Sequence, residues 1–174
     1  MFSKRLVCVA LSLVAVSSVH AFDTDPRRIG PDTTVTFEKN KTNLTQASRE
    51  KLDILIRDAR EKGEIGNVQI AAWSDNPAPR AKEELSKVDR DLAEKRARVV
   101  SQYVKQRCRA KVDTYNMAER ASWLARTLDT NDAELKTEIG RGGDQPMSRS
   151  EFQIFKDNGK ASNAVVLMIL KHGG

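Results

Sequence analysis

The run Ala164–Leu170 restricts the fold more than any other segment, because all seven of its residues (AVVLMIL) are apolar. A helix that crosses a bilayer takes about 20 apolar residues, so this run is too short to span a membrane. A short strand without polar residues is typical of a strand buried on both faces of a sheet. We therefore expect residues 164–170 to form a strand at the centre of a sheet.

The rest of the chain alternates between strand-like and helix-like patterns. The strand-like segments are 35–37, 68–73 and 111–117, and apolar residues recur at helical spacing in 45–62 and from Leu92 to Val104. Thr45 is placed to cap the first helix and Gly63 to end it. One or two further short helices are expected in 121–138. This order predicts an α/β sandwich whose sheet includes parallel pairs and is covered by helices.

The first 21 residues have the pattern of a cleavable export signal. Lys4 and Arg5 precede the apolar run 6–16, which is too short to span a bilayer, and Ala21 is a small residue before an expected cut ahead of Phe22. We therefore expect a periplasmic protein with no transmembrane span in its mature chain.

Removal of these 21 residues from the 174 would leave 153, a length typical of one domain. Residues 22–34 contain two prolines, a glycine and many charges, which predicts an irregular leader ahead of a domain at 35–174. The formal charge of +6 falls to +4 without Lys4 and Arg5, and basic residues alternate with acidic ones along the helices. Nucleic-acid-binding proteins concentrate basic residues in one patch, so nucleic acid is not an expected partner.

The mature chain would contain one cysteine, Cys108, and one histidine, His172. It would form no internal disulfide, and Cys108 is either a partly buried thiol or the site of an intermolecular disulfide. Catalysis or metal binding through histidine has almost no residues to use. The glycine-rich loop 140–146 lacks the lysine and hydroxyl residue of a phosphate-binding loop. We expect a non-catalytic protein without a metal or a cofactor.

One charged residue interrupts the apolar face of the second helix. Arg96 follows Leu92 by four positions and precedes Val99 by three, so it lies in the middle of the apolar stripe. A buried guanidinium needs a carboxylate nearby or an opening through which a ligand carboxylate can reach it. Alternatively, Arg96 lies at the margin of the stripe and extends its charged end to water. The periodicity leaves both interpretations open.

Asp75 supplies a complementary charge at the end of the second strand. In open α/β sheets, ligands tend to bind at this end of a strand. The alternative for Asp75 is a turn-forming role before Asn76 and Pro77. Together, Asp75 and Arg96 would fit a zwitterionic amino-acid end, with the carboxylate binding the ammonium and the guanidinium binding the carboxylate.

Three segments, taken in order, resemble a known family. They are 37–44 (FEKNKTNL), 70–75 (IAAWSD) and 92–97 (LAEKRA). The first is similar to the entry into the first helix of the OmpA-like C-terminal family, the second to its aliphatic-Gly-His/Tyr-Thr-Asp segment, and the third to its Leu-Ser-x-x-Arg-Ala segment. The family includes the periplasmic parts of flagellar motor stators and peptidoglycan-associated lipoproteins. The resemblance implies a βαβαβ core with a further strand.

The resemblance also implies peptidoglycan binding through the diaminopimelate side chain of the stem peptide. The matching ligand positions are Asp75 and Arg96, with Asn40 close by. Ser74 stands where the family has threonine. Asp89 stands where the family often has asparagine, and it would add a negative charge beside a site for a carboxylate.

Two functions follow from the resemblance. The first is a non-catalytic domain that binds the diaminopimelate end of the stem peptide and anchors an envelope component to the cell wall. The second is a scaffold that has lost this ligand and acts as a protein–protein component of an envelope assembly, such as a motor, a pilus or a secretion system. The second function is supported by the stretch 76–87 and by an insertion at about 120–163, since both are longer than the family's connections.

Overall fold

The computed structural model describes residues 28–79, 84–119 and 149–171. The expected export signal at 1–21 and the first six residues of the expected leader therefore lie outside the described residues. So do the helices expected in 121–138, the glycine-rich loop 140–146 and His172.

Four strands and three helices alternate along the described chain. They are β1 (Arg28–Thr36), α1 (Gln46–Lys62), β2 (Ile65–Ala72), α2 (Lys87–Lys105), β3 (Lys111–Asn116), α3 (Arg149–Asn158) and β4 (Asn163–Leu170). The predicted α/β class, with helices packed on a mixed sheet, is confirmed. α3 was not predicted, because the helices expected between β3 and β4 were placed in 121–138, outside the described residues.

The four strands form one mixed sheet in the order β1-β4-β2-β3. β4 pairs antiparallel with both β1 and β2, while β2 pairs parallel with β3. α2 connects the two parallel strands, because such strands need a long crossover. Every residue of β4 from Ala164 to Leu170 is buried, which confirms the predicted central strand.

β1 differs from the sequence-based expectation. We expected residues 22–34 to be irregular, but 28–34 belong to this strand. β1 lies at the edge of the sheet, and its pairing with β4 shifts register around Pro31, so the missing N–H of the proline interrupts little. Gly30 allows a close approach to β4, since a Cβ there would lie 2.9 Å from the carbonyl oxygen of Met168.

α1 begins and ends as predicted. The side chain of Thr45 accepts a hydrogen bond from the Ser48 amide at 3.1 Å and caps the first turn. The Gly63 amide donates to the Ala59 carbonyl at 3.1 Å and closes the last turn. The predicted apolar face is buried and comprises Leu52, Leu55, Ile56 and Ala59.

The two faces of the sheet have separate apolar cores. One core is shared with α1 and α2 and includes Ile70 of β2, and the other includes Trp73 and Phe155 of α3. α3 also contacts the sheet through a buried polar pair, in which the side-chain amide of Gln69 donates to the Glu151 carboxylate at 3.1 Å. None of the described helices combines the length and the apolar composition needed to cross a membrane.

Candidate ligand-binding site

The structure brings the two charged residues predicted from the sequence into direct contact. Asp75 lies three residues beyond the end of β2, and Arg96 extends from α2 toward it. Oδ1 of Asp75 is 2.6 Å from Nη2 of Arg96. The side chain of Arg96 is 0% exposed and that of Asp75 is 11% exposed. Arg96 is therefore buried with a carboxylate partner and does not extend to water.

Backbone oxygens surround the remainder of the guanidinium. Nε donates to the Lys41 carbonyl at 3.0 Å, Nη1 to the Trp73 carbonyl at 3.0 Å and Nη2 to the Glu38 carbonyl at 3.1 Å. The Phe37 ring lies 5.0 Å from the guanidinium carbon, which adds a cation–π contact. The guanidinium thus faces protein oxygens, and a ligand carboxylate would have to displace one of them.

Three donors hold the Asp75 carboxylate. Oδ1 accepts from Arg96 and from Oγ of Ser162 at 2.7 Å, and Oδ2 accepts from the Asn40 amide at 2.6 Å. Burial by itself would raise the pKa of Asp75, but the hydrogen bonds from Ser162, Arg96 and Asn40 outweigh it and lower that pKa below its ordinary value. Because a carboxylate can accept about four hydrogen bonds, Asp75 keeps room for one more donor.

Asn40 and Ser74 lie at this site, but their side chains do not face a ligand position. Asn40 contributes its backbone amide, and its φ of 58° lies in the left-handed region. Ser74 is buried, and its Oγ accepts a hydrogen bond from the Asn76 amide at 3.1 Å. The Ser74 carbonyl accepts from the Ser162 amide at 2.6 Å. Both residues therefore shape the loops around Asp75.

Asp89 lies in the first turn of α2 and is bound to the preceding loop. Its carboxylate accepts from Oγ of Ser86 at 2.6 Å and from the side-chain amide of Asn76 at 2.9 Å. The hydrogen bond from Ser86 is the main reason that the pKa of Asp89 is lowered; burial opposes it, and Asn76 and Ser74 lower it further. Asp89 thus fixes the loop that follows Asp75.

Ser162 is a site residue that sequence reasoning missed. It lies in the turn between α3 and β4, within the stretch interpreted as an insertion. Its neighbours Gly159 and Lys160 indicate a turn, but nothing in the sequence shows that this turn reaches Asp75.

A concave region away from Asp75 lies between α1 and the end of α2. This groove has a volume of about 450 Å³ and is lined by Asp53, Ile56, Arg57, Arg60, Glu61 and Arg107. Two of its arginines have partners within the groove, since Arg107 pairs with Asp53 at 2.7 Å and Arg60 donates to the Arg107 carbonyl. The groove therefore offers less unsatisfied charge than its composition indicates.

Cys108 and the acidic side chains do not form a metal centre in the described part of the chain. Among residues 28–79, 84–119 and 149–171, no three His, Cys, Asp or Glu side chains are grouped so that they could hold a metal ion. Cys108 is buried, and burial raises the pKa of its thiol, which keeps it protonated at neutral pH.

No protein-family model matches the chain, and no curated protein is significantly similar to it. The resemblance to the OmpA-like C-terminal family therefore depends on three short segments and their order. The interpretation of the site depends on its geometry.

Proposed function

We propose that this protein is a non-catalytic, periplasmic peptidoglycan-binding domain. It binds the diaminopimelate end of a stem peptide at Asp75 and anchors an envelope component to the cell wall. The observation that carries this proposal is the state of Asp75, whose side chain is 11% exposed and whose carboxylate has a lowered pKa and is held by three donors just beyond the end of β2. The order of strands and helices, which agrees with the core implied by the resemblance, supports it.

The ligand chemistry follows from the neutral charge of the Asp75–Arg96 pair. A neutral pair attracts a zwitterionic amino-acid end more readily than a free cation, because the zwitterion adds no net charge to a partly desolvated site. The ammonium group donates to the remaining acceptor position of Asp75 in a charge-assisted hydrogen bond. The carboxylate lies on the Arg96 side, where it replaces a carbonyl of the β1–α1 loop. Binding thus includes a movement of this loop.

The hydroxyl groups at the site support binding over catalysis. Oγ of Ser74 bonds to the backbone of Asn76, and Oγ of Ser162 donates to Asp75. A hydroxyl nucleophile needs a base that removes its proton and a third group that orients the base. The contacts of these two hydroxyls position a loop and a carboxylate instead.

One observation favours the second function, a protein–protein component of an envelope assembly. Arg96 is fully buried, and its hydrogen bonds go to three backbone carbonyls and to Asp75. If these bonds persist in solution with ligand present, the pair is structural and the fold serves as a scaffold.

Binding to purified sacculi distinguishes the two functions. The protein is sedimented with sacculi and titrated with a stem peptide that contains diaminopimelate. A stem peptide with lysine at the same position lacks the second carboxylate and serves as the ligand control. We expect Asp75→Asn to weaken binding by at least about tenfold, since a charge-assisted hydrogen bond contributes roughly 1.5–3 kcal/mol.

Asp91→Asn is the matched control variant. Like Asp75, Asp91 is an aspartate that pairs with a basic residue, but it lies near the start of α2, its side chain is 44% exposed, and it pairs with Lys87 at 2.7 Å. Its replacement should leave binding unchanged. If the wild-type protein binds neither sacculi nor the diaminopimelate peptide, the anchor function is wrong and the scaffold function is favoured.

A further inference from the structure

The described chain contains two non-glycine residues with left-handed backbone, and both contact Asp75. Asn40 has a φ of 58° and Ser162 a φ of 63°. Asn40 donates its amide to Oδ2 of Asp75, and Ser162 donates its hydroxyl to Oδ1. A residue with a Cβ adopts this conformation at a cost, and such strained residues are concentrated at functional sites. Residues with left-handed backbone in two separate loops therefore donate hydrogen bonds to the same carboxylate.

Ser162 uses all of its polar groups in this arrangement. Its amide donates to the Ser74 carbonyl at 2.6 Å, and its carbonyl accepts from the Phe37 amide at 2.8 Å. Its Oγ is 2.7 Å from Oδ1 of Asp75. One residue thus joins the end of β1, the end of β2 and the α3–β4 turn.

Trp73 contacts the α3–β4 turn near both of its ends. A Cβ at Gly159 would lie 2.1 Å from the Trp73 ring, so only glycine allows the turn to pack this closely. At the other end of the turn, the Trp73 amide donates to the Asn163 carbonyl at 2.9 Å. The position of Ser162 is therefore determined at both ends of its turn.

We propose that Ser162 is a positioning residue of the ligand site and that the α3–β4 turn, residues 159–162, forms part of that site together with the β1–α1 loop and the loop after β2. This inference rests on the proposed function. Ser162 and Arg96 together occupy Oδ1 of Asp75, which fixes the rotation of the carboxylate and leaves Oδ2 as the oxygen with free accepting capacity. The site thus accepts one donor from the ligand, which matches a single ammonium group.

The titration midpoint of Asp75 reports its hydrogen bonds, because few other charges act on it. Arg96 is the charged side chain that contacts it. On the two surrounding loops, the charged residues Glu38, Lys39, Lys41 and Lys160 are exposed, so water and salt screen their charges. A change in the titration midpoint of Asp75 on removal of Ser162 Oγ therefore reports the loss of that hydrogen bond.

The test compares Ser162→Gly with a glycine control in the same turn. Ser162→Gly removes the hydroxyl and fits the left-handed backbone, so the fold is retained. Ala161→Gly loosens the same turn without removing the hydroxyl. The Asp75 carboxyl is titrated by NMR in each protein, and binding of the diaminopimelate stem peptide is measured over the same pH range.

We expect the Asp75 midpoint to rise in Ser162→Gly and to stay in place in Ala161→Gly. Peptide affinity should fall by about tenfold in Ser162→Gly and by less than about twofold in Ala161→Gly. An unchanged midpoint in Ser162→Gly overturns the inference, as does an unchanged affinity when the wild type binds. If the wild type does not bind the peptide, the proposed function fails, and the ligand-site role of Ser162 fails with it.

Discussion

Replacement of Arg96 by methionine removes the buried charge on α2 while keeping an apolar side chain of similar length. The substitution leaves Asp75, whose side chain is 11% exposed, without its charged partner. It also removes the guanidinium donors to the Lys41 and Trp73 carbonyls. Loss of one partner of a buried ion pair costs about 3–5 kcal/mol, because the other charge remains desolvated. Asp75 keeps its hydrogen bonds from neutral donors, so we expect the free energy of unfolding to fall by about 3–4 kcal/mol.

Urea denaturation followed by circular dichroism and tryptophan fluorescence measures this change, and the midpoint should fall without a change in the m-value. Arg98→Met is the matched control on the same helix. The Arg98 side chain is 63% exposed and pairs with Glu94, so its replacement should cost at most about 1 kcal/mol. If Arg96→Met is within about 1 kcal/mol of the wild type, the guanidinium is not desolvated and the burial argument for the site is wrong.

Three further outcomes are expected from the same structure. Because the folded pKa of Asp75 is lowered, its contribution to stability is complete above the ordinary value of 3.8 and is lost as the pH falls below it. In Asp75→Asn, the free energy of unfolding should therefore fall less steeply at acidic pH, as measured by urea denaturation over a pH series. Gly159→Ala places a methyl group 2.1 Å from the Trp73 ring and should cost about 2 kcal/mol or more, with a shift in tryptophan emission; an unshifted spectrum and unchanged stability would contradict the packing. Thr45→Ala removes the cap that accepts from Ser48 and should lower the free energy of unfolding by about 1 kcal/mol, whereas no change in thermal midpoint would show that the cap is not formed.

Local signals were sufficient to predict several elements. α1 begins after Thr45 and ends at Gly63, since the cap, the apolar spacing and the terminating glycine all lie within one short segment. β4 lies at the centre of the sheet, because a run of seven apolar residues has few other stable positions in a protein of this size. In both cases the decisive interactions involve neighbouring residues or simple burial.

Features that depend on distant contacts were not predictable in the same way. Residues 28–34 resemble a loop because they contain Gly30 and Pro31, and they form a strand only through pairing with β4. The pattern around Arg96 left its burial open, because its partners come from the β1–α1 loop and from Asp75. Ser162 gave no signal, since a left-handed serine has no local sequence mark. These contacts exist only after the sheet has assembled.

The strand that is synthesised last in the described chain lies between two strands that are synthesised much earlier. Among the described strands, β1 has no neighbour until β4 arrives, and β2 has only β3. Pairings between residues this far apart in sequence close late and slow the folding of a domain. We therefore expect a nascent chain of this protein to remain open until residues 163–170 have emerged from the ribosome, and then to close in one cooperative step. A chain truncated before β4 should leave β1 unpaired, exposed to proteolysis and prone to aggregation.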